Sequence, residues 1–263
     1  MLYDDQATEF DERAGVPADA VEAIAATLAG LVGPVEGQAW LEVGAGTGAL
    51  SLPLLRLPIR YTGFDRSPAM LEVFRARVDA AGLAAALHVA DGNGRWPAED
   101  AGVDVVFSAR ALHHLDPAHA AAETRRVLRA PGGWLVLGRV RRPPDSLKSV
   151  LRRQMRRMLD ARGFAGRSHE ARAGAVFAAL EEAGGRRMEP RVAARWSHPH
   201  RPADSIAAWE GKSGLAGVEV PDPVKAGVLA ELRAWAQEEL GDIDQPREQE
   251  EAFELDAIRI PIS

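Results

Sequence analysis

The chain reads as an α/β protein, a three-layer sandwich of a seven-stranded, mostly parallel sheet with a helical cap. Three observations predict this: short apolar runs alternate with amphipathic helical stretches, acids or glycines stand where the runs end, and a glycine-rich turn follows the first run. Ala18 to Val32, with Val21, Ile24, Ala25, Leu28 and Leu31 at helical spacing, predicts an opening helix. The first strand ends at Val43 and runs into Gly44-Ala45-Gly46-Thr47-Gly48, with a helix expected from near Thr47. Ile59 to Phe64 is the second strand and stops at Asp65; Ser67 then caps a helix whose first residue is Pro68 and whose apolar face is Met70, Leu71, Phe74 and Val78. Leu87 and Val89 mark a third strand that stops at Asp91-Gly92, and Val103 to Phe107 is a fourth, apolar apart from Asp104, as buried parallel strands mostly are. A helix carrying Val127 and Leu128 follows, and Pro131-Gly132-Gly133 turns into the fifth strand, Trp134 to Gly138. Beyond a helix at His169 to Ala183, closed by Gly184-Gly185, the sixth strand is Pro190 to Trp196 and the seventh is 252–260. Between those two strands lie a turn at His198-Pro199-His200-Arg201-Pro202 and helices at about 203–213 and 223–240.

Composition limits the function classes. No apolar run approaches the ~18 residues of a membrane span, and the start Met1-Leu2-Tyr3-Asp4-Asp5 lacks the basic and apolar regions of a signal peptide, so a cytoplasmic protein is expected. With no cysteine there is no disulfide, no thiolate metal site and no thiolate nucleophile. Lysine occurs only at Lys148, Lys212 and Lys225 against abundant arginine, which with the alanine content points to a GC-rich bacterial genome. The net charge is -6, yet 139–172 is basic; Arg152, Arg153, Arg156 and Arg157 interleave with Leu151, Met155, Met158 and Leu159 as an amphipathic helix. Such a face attracts an acidic ligand or is simply solvated, and the lack of interleaved aromatics disfavours nucleic acid.

The glycine turn carries the chemistry. A chain leaving a buried strand must reverse tightly and let a ligand approach the backbone, and Gly44, Gly46 and Gly48 allow positive φ without a Cβ. Gly44-x-Gly46-x-x-Ala49 fits the dinucleotide fingerprint literally, with Asp65 placed to accept from a ribose. Glu42 leans the other way, because an acid there suits a cofactor with an ammonium group and would repel a pyrophosphate.

Four motifs in order then resemble the class I S-adenosylmethionine (SAM)-dependent methyltransferases, especially the small-molecule group that includes the ubiquinone and menaquinone C-methyltransferases. They are Glu42-Val43-Gly44-Ala45-Gly46-Thr47-Gly48, Phe64-Asp65-Arg66-Ser67-Pro68-Ala69-Met70-Leu71, Ala90-Asp91-Gly92 and Val127-Leu128-Arg129-Ala130-Pro131-Gly132-Gly133. The resemblance implies a Rossmann-like domain over 1–263, with a SAM-binding core at about 36–140, cap helices at about 141–165 and 203–241, and a final strand at about 252–260. It further implies that Glu42 faces the methionyl amino group while backbone at Gly44, Ala45 and Gly46 passes close by. Asp65 holds the ribose hydroxyls, Arg66 and Met70 flank the adenine, and Asp91 beside Gly92 accepts from the exocyclic amine. Ser108 and Arg110 lie near the methionyl moiety, and Tyr3 and Arg13 belong to an N-terminal segment that closes over SAM. The expected activity is methyl transfer to a small-molecule acceptor that can be acidic, without a metal. The alternatives are an NAD(P)-dependent oxidoreductase and a non-catalytic SAM-binding regulatory protein.

The acceptor is less legible. In-line methyl transfer needs alignment and exclusion of water, and a general base only for some acceptors. His113 and His114 are the candidate bases, with His114 closer to the family pattern. His198 and His200 have the spacing of half a metal site, but no third ligand is evident and they read more simply as loop histidines. Ser108-Ala109-Arg110-Ala111 stands where enzymes methylating base amines carry Asn/Asp-Pro-Pro-aromatic, which argues against adenine or cytosine amino groups.

Overall fold

The computed structural model describes residues 16–164, 169–212 and 214–260. They fall into two compact units, one built from 16–139, 170–194 and 253–260, the other from 140–164, 169, 195–212 and 214–252.

The elements follow in chain order. They are α1 (Ala18–Val32), β1 (Gln38–Val43), β2 (Ile59–Asp65), α2 (Pro68–Ala80), β3 (Ala86–Val89), β4 (Val105–Ala109), α3 (Pro117–Val127) and β5 (Trp134–Arg141). After these come α4 (Leu147–Asp160), α5 (His169–Glu182), β6 (Arg186–Arg187), β7 (Arg191–His200), α6 (Pro202–Glu210), α7 (Asp222–Leu240) and β8 (Arg247–Arg259). The sheet order is β3-β2-β1-β4-β5-β8-β6, with β7 also pairing β8. The pairs β2/β3, β1/β2, β1/β4 and β4/β5 are parallel, and β6 runs antiparallel to β8. The order reverses between β1 and β4, the kind of switch point where open α/β sheets bind ligands beyond their carboxyl edge.

The first unit's core lies between the sheet and its helices. Leu41, Val43, Val106, Leu135 and Leu137 of the strands pack with Ala120 and Val127 of α3 and Val176, Phe177 and Leu180 of α5. Phe74 and Val78 of α2 close over Tyr61 and Ala45. The second unit has its own core, in which Leu151, Met155, Met158 and Leu159 of α4 meet Ile206 and the Val228, Leu229, Leu232 and Ala236 stripe of α7. The arginines of α4 serve that packing: Arg153 donates to the Pro144 carbonyl and Arg156 to the Ala216 carbonyl at 3.0 Å.

Several expectations need correction. No helix starts near Thr47; turns lead instead into a short 3-10 segment, Leu52–Arg56. Pro53 lacks the N–H that a helix interior needs, and Pro58 prevents continuation. Among the described residues the sheet has the seven expected strands and an eighth, the two-residue β6, which is too short to leave a periodic signal. The fourth strand lies two residues later than predicted, Val103 making an isolated bridge to Leu128. The turn expected at 198–202 is strand as far as His200, and β7 tolerates Pro199 because β8 is its one strand partner among the described residues. The last strand begins at Arg247, where glutamates alternate outward against a half-buried face.

Candidate active site

The predicted site residues of the first unit meet at the carboxyl ends of β1, β2, β3 and β4. β1 delivers Glu42, which is 2% exposed. The hydroxyls of Ser51 and Tyr61 both donate to its Oε2. Burial pushes the Glu42 carboxyl up to about 7 despite those two hydroxyls, and the charge of Asp65 adds to the rise. Glu42 thus anchors the 3-10 segment and β2 from within. Neither Ser51 nor Tyr61 was evident in the sequence; Gly63 is the one trace, since a Cβ there would lie 2.9 Å from the Tyr61 hydroxyl.

The three turn glycines meet three different demands. A Cβ on Gly44 would lie 2.1 Å from the Ala111 Cβ, and one on Gly48 2.1 Å from the Phe74 ring. Both are therefore required by packing. Gly46, at φ 54°, has nothing within 4 Å of such a Cβ, so its backbone faces open space. The Gly44 and Ala45 amides both donate to the Phe64 carbonyl, at 2.9 and 3.0 Å, and offer no donor to a ligand. The Gly46 amide donates to Asp65 Oδ2 at 2.9 Å, and the Ser67 amide to Asp65 Oδ1 at 2.9 Å. Each carboxylate oxygen keeps a lone pair, so Asp65 can still accept from a diol.

Arg66 is exposed beside Asp65, whereas Met70 is buried in the first turn of α2. Asp91 is exposed and accepts from the Asn93 amide at 3.0 Å. Gly92 packs under Leu115, and its carbonyl accepts from the Trp96 indole at 2.9 Å. Asn93 and His119 tie this loop to the start of α3, Asn93 accepting from the Asp116 amide at 2.8 Å and the His119 ring lying 2.9 Å from the Gly94 carbonyl. Trp96 and Asn93 are supports that the motif reading did not reach.

Ser108 is buried at the end of β4. It is 1% exposed and donates to the Val43 carbonyl at 2.9 Å, pinning β4 to the root of the glycine turn. Arg110 adopts φ 59°, a left-handed conformation costly for a residue with a Cβ, and its amide donates to the Gly138 carbonyl at 3.2 Å. That kink carries Ala111 onto Gly44. His113 and His114 follow in a one-turn 3-10 helix, their rings 4.0 Å apart at 42°. Burial, then the charges of Arg172 and Arg66, hold His114 below its ordinary value of 6.5, leaving the imidazole neutral at neutral pH. Tyr3 and Arg13 lie outside the described residues.

Comparison with known proteins agrees with this arrangement, residues 41–137 matching the family described as "Methyltransferase domain". Residues 41–137 thus match a methyltransferase domain, the kind of domain that the four sequence motifs resemble. The matched stretch runs from within β1 to within β5 and contains the predicted site residues from Glu42 to His114. An uncharacterized methyltransferase of Mycobacterium tuberculosis is 39% identical over 104 residues, covering 40% of each chain. A ubiquinone biosynthesis O-methyltransferase of Cereibacter sphaeroides is 29% identical over 118 residues, covering 45% of this chain and 47% of its own. The chain thus spans less than half the length of these curated relatives. The solved YcgJ protein of Bacillus subtilis shares the fold at TM-score 0.58 and 17% identity, over 91% of this chain and 99% of that one.

Among the described residues no group of three His, Asp or Glu side chains is placed to hold a metal, and no helix is long and apolar enough to cross a membrane.

Proposed function

We propose that the protein transfers the methyl group of SAM to a small-molecule acceptor at the carboxyl edge of β1, β2, β3 and β4. The observation that carries this reading is the pairing of Gly46, whose backbone faces open space, with Asp65, which retains acceptor capacity. SAM supplies a methyl group on a positively charged sulfur, activated for displacement. Asp65 accepts from the ribose hydroxyls and Asp91 from the adenine amine, with exposed Arg66 beside the base. Glu42 acts from beneath, fixing the turn through Ser51 and Tyr61 and contributing negative character as it ionises. Ser108 and Arg110 position the chain that presents His114, whose neutral ring takes a proton from an acceptor that needs to lose one. The second unit lies outside the methyltransferase match. Tyr3 and Arg13 remain proposed as cofactor contacts. A methyltransferase domain displaces the oxidoreductase alternative, and release of S-adenosylhomocysteine across an acceptor panel separates an enzyme from a binding module. Asp65→Asn, which retains one acceptor oxygen for the turn, is expected to weaken SAM binding about tenfold through loss of charge-assisted bonds. Unchanged affinity by calorimetry, with an unchanged melt, would falsify the ribose assignment.

A further inference from the structure

The second unit contains a cluster that the methyltransferase site does not use. Glu251 on β8 has a side chain only 3% exposed, and three basic groups converge on its Oε1. Arg142 Nε lies at 2.6 Å, Lys148 Nζ at 3.4 Å and His198 Nε2 at 3.5 Å. The Arg142 fork takes the short contact, 2.6 Å to Oε1 with a longer 3.4 Å bond to Oε2, so Lys148 holds Oε1 only by a long bond of 3.4 Å and an ammonium with three donors keeps two for another acceptor; His198 Nδ1 lies 3.2 Å from the Pro199 carbonyl. The side chains of Arg142, Lys148 and His198 are 29–32% exposed, so the carboxylate is the floor of the cluster and these three side chains are its rim. Lys148 also sits in the first turn of α4, where a cation opposes the helix dipole, an arrangement that an anion would relieve. After burial, the charges of Lys148 and His198 drive the neighbouring His200 down to about 4, another mark of a positive field.

We propose that Arg142, Lys148 and His198 form an anion site for the phosphate or carboxylate of a small molecule, with Glu251 as the buried counter-ion that positions them. The anion site stands independently of the methyltransferase reading.

The test is calorimetric titration of the full chain, without SAM, with inorganic phosphate and separately with acetate. Saturable binding of either probe is expected, and which of them binds tighter identifies the anion. Lys148→Gln, at a partly exposed position, is expected to weaken binding about tenfold by removing a charged donor. Glu251→Gln, where it folds, is expected to tighten binding severalfold, because it removes the competing negative charge. A purely structural ion cluster gives no saturable heat with either probe, or equal affinity in wild type and Lys148→Gln, and either result overturns the proposal.

Discussion

Gly44, Gly46 and Gly48 share a motif but not a function, and single alanine substitutions distinguish them. At Gly44 and Gly48 the added carbon meets Ala111 or the Phe74 ring at 2.1 Å, on backbone already at φ 74°. Overpacking and left-handed strain add, so each variant should lose roughly 2–4 kcal/mol and melt markedly lower. Gly46→Ala meets no atom and bears only the strain of its φ 54°, on the order of 1 kcal/mol. Its larger effect should be on SAM affinity, because the new methyl group enters the space proposed for the cofactor. Thermal melts and SAM titrations on the three variants check this; a Gly46→Ala protein that binds SAM normally would place the cofactor elsewhere.

At the scale of elements, β4 and its following segment show what was legible and what was not. The strand declares itself through the apolar Val105-Val106-Phe107, though its bounds lie two residues later than expected, and Asp65 and Asp91 stand at or just beyond the ends of β2 and β3 as their spacing implied. Legibility fails where a contact joins residues remote in sequence. The bond from the Ser108 hydroxyl to the Val43 carbonyl, and those from Ser51 and Tyr61 to the Glu42 carboxyl, leave no local signal in the sequence. The long β8 was read short because its early residues are charged and alternate, whereas a buried parallel strand is apolar throughout. The kink at Arg110 leads to a functional expectation for the segment it turns. With a neutral His114 as proton acceptor, kcat/KM for a proton-releasing acceptor should fall on acidification below 6.5, as the ring protonates. In His114→Gln that acidic limb should disappear and kcat fall about a hundredfold with little change in SAM affinity. An unaltered pH profile would assign His114 to packing.

At the scale of the whole molecule, two buried carboxylates make stability respond to pH in opposite directions. Glu42 in the first unit has its carboxyl raised by burial from the ordinary 4.5 to about 7. Between those values the native state binds more protons than the unfolded chain, so its contribution is full below 4.5 and is lost as pH rises through about 7. A shift of that size corresponds to an effect on the order of 3 kcal/mol. Glu251 in the second unit behaves oppositely. Burial pushes it up but is outweighed by Arg142, Lys148 and His198, leaving it below 4.5, so its contribution is present above 4.5 and is lost as pH falls through the lowered value. Thermal unfolding followed across a series of buffers should therefore show the wild-type midpoint declining from mildly acidic to mildly alkaline pH, a decline that Glu42→Gln flattens because the amide never ionises. The same substitution leaves the loss of stability in strong acid in place, since Glu251 is untouched. If Glu42→Gln and wild type run parallel through neutrality, the carboxylate of Glu42 ionises at its ordinary value, and its role beneath the glycine turn is electrostatic at every physiological pH.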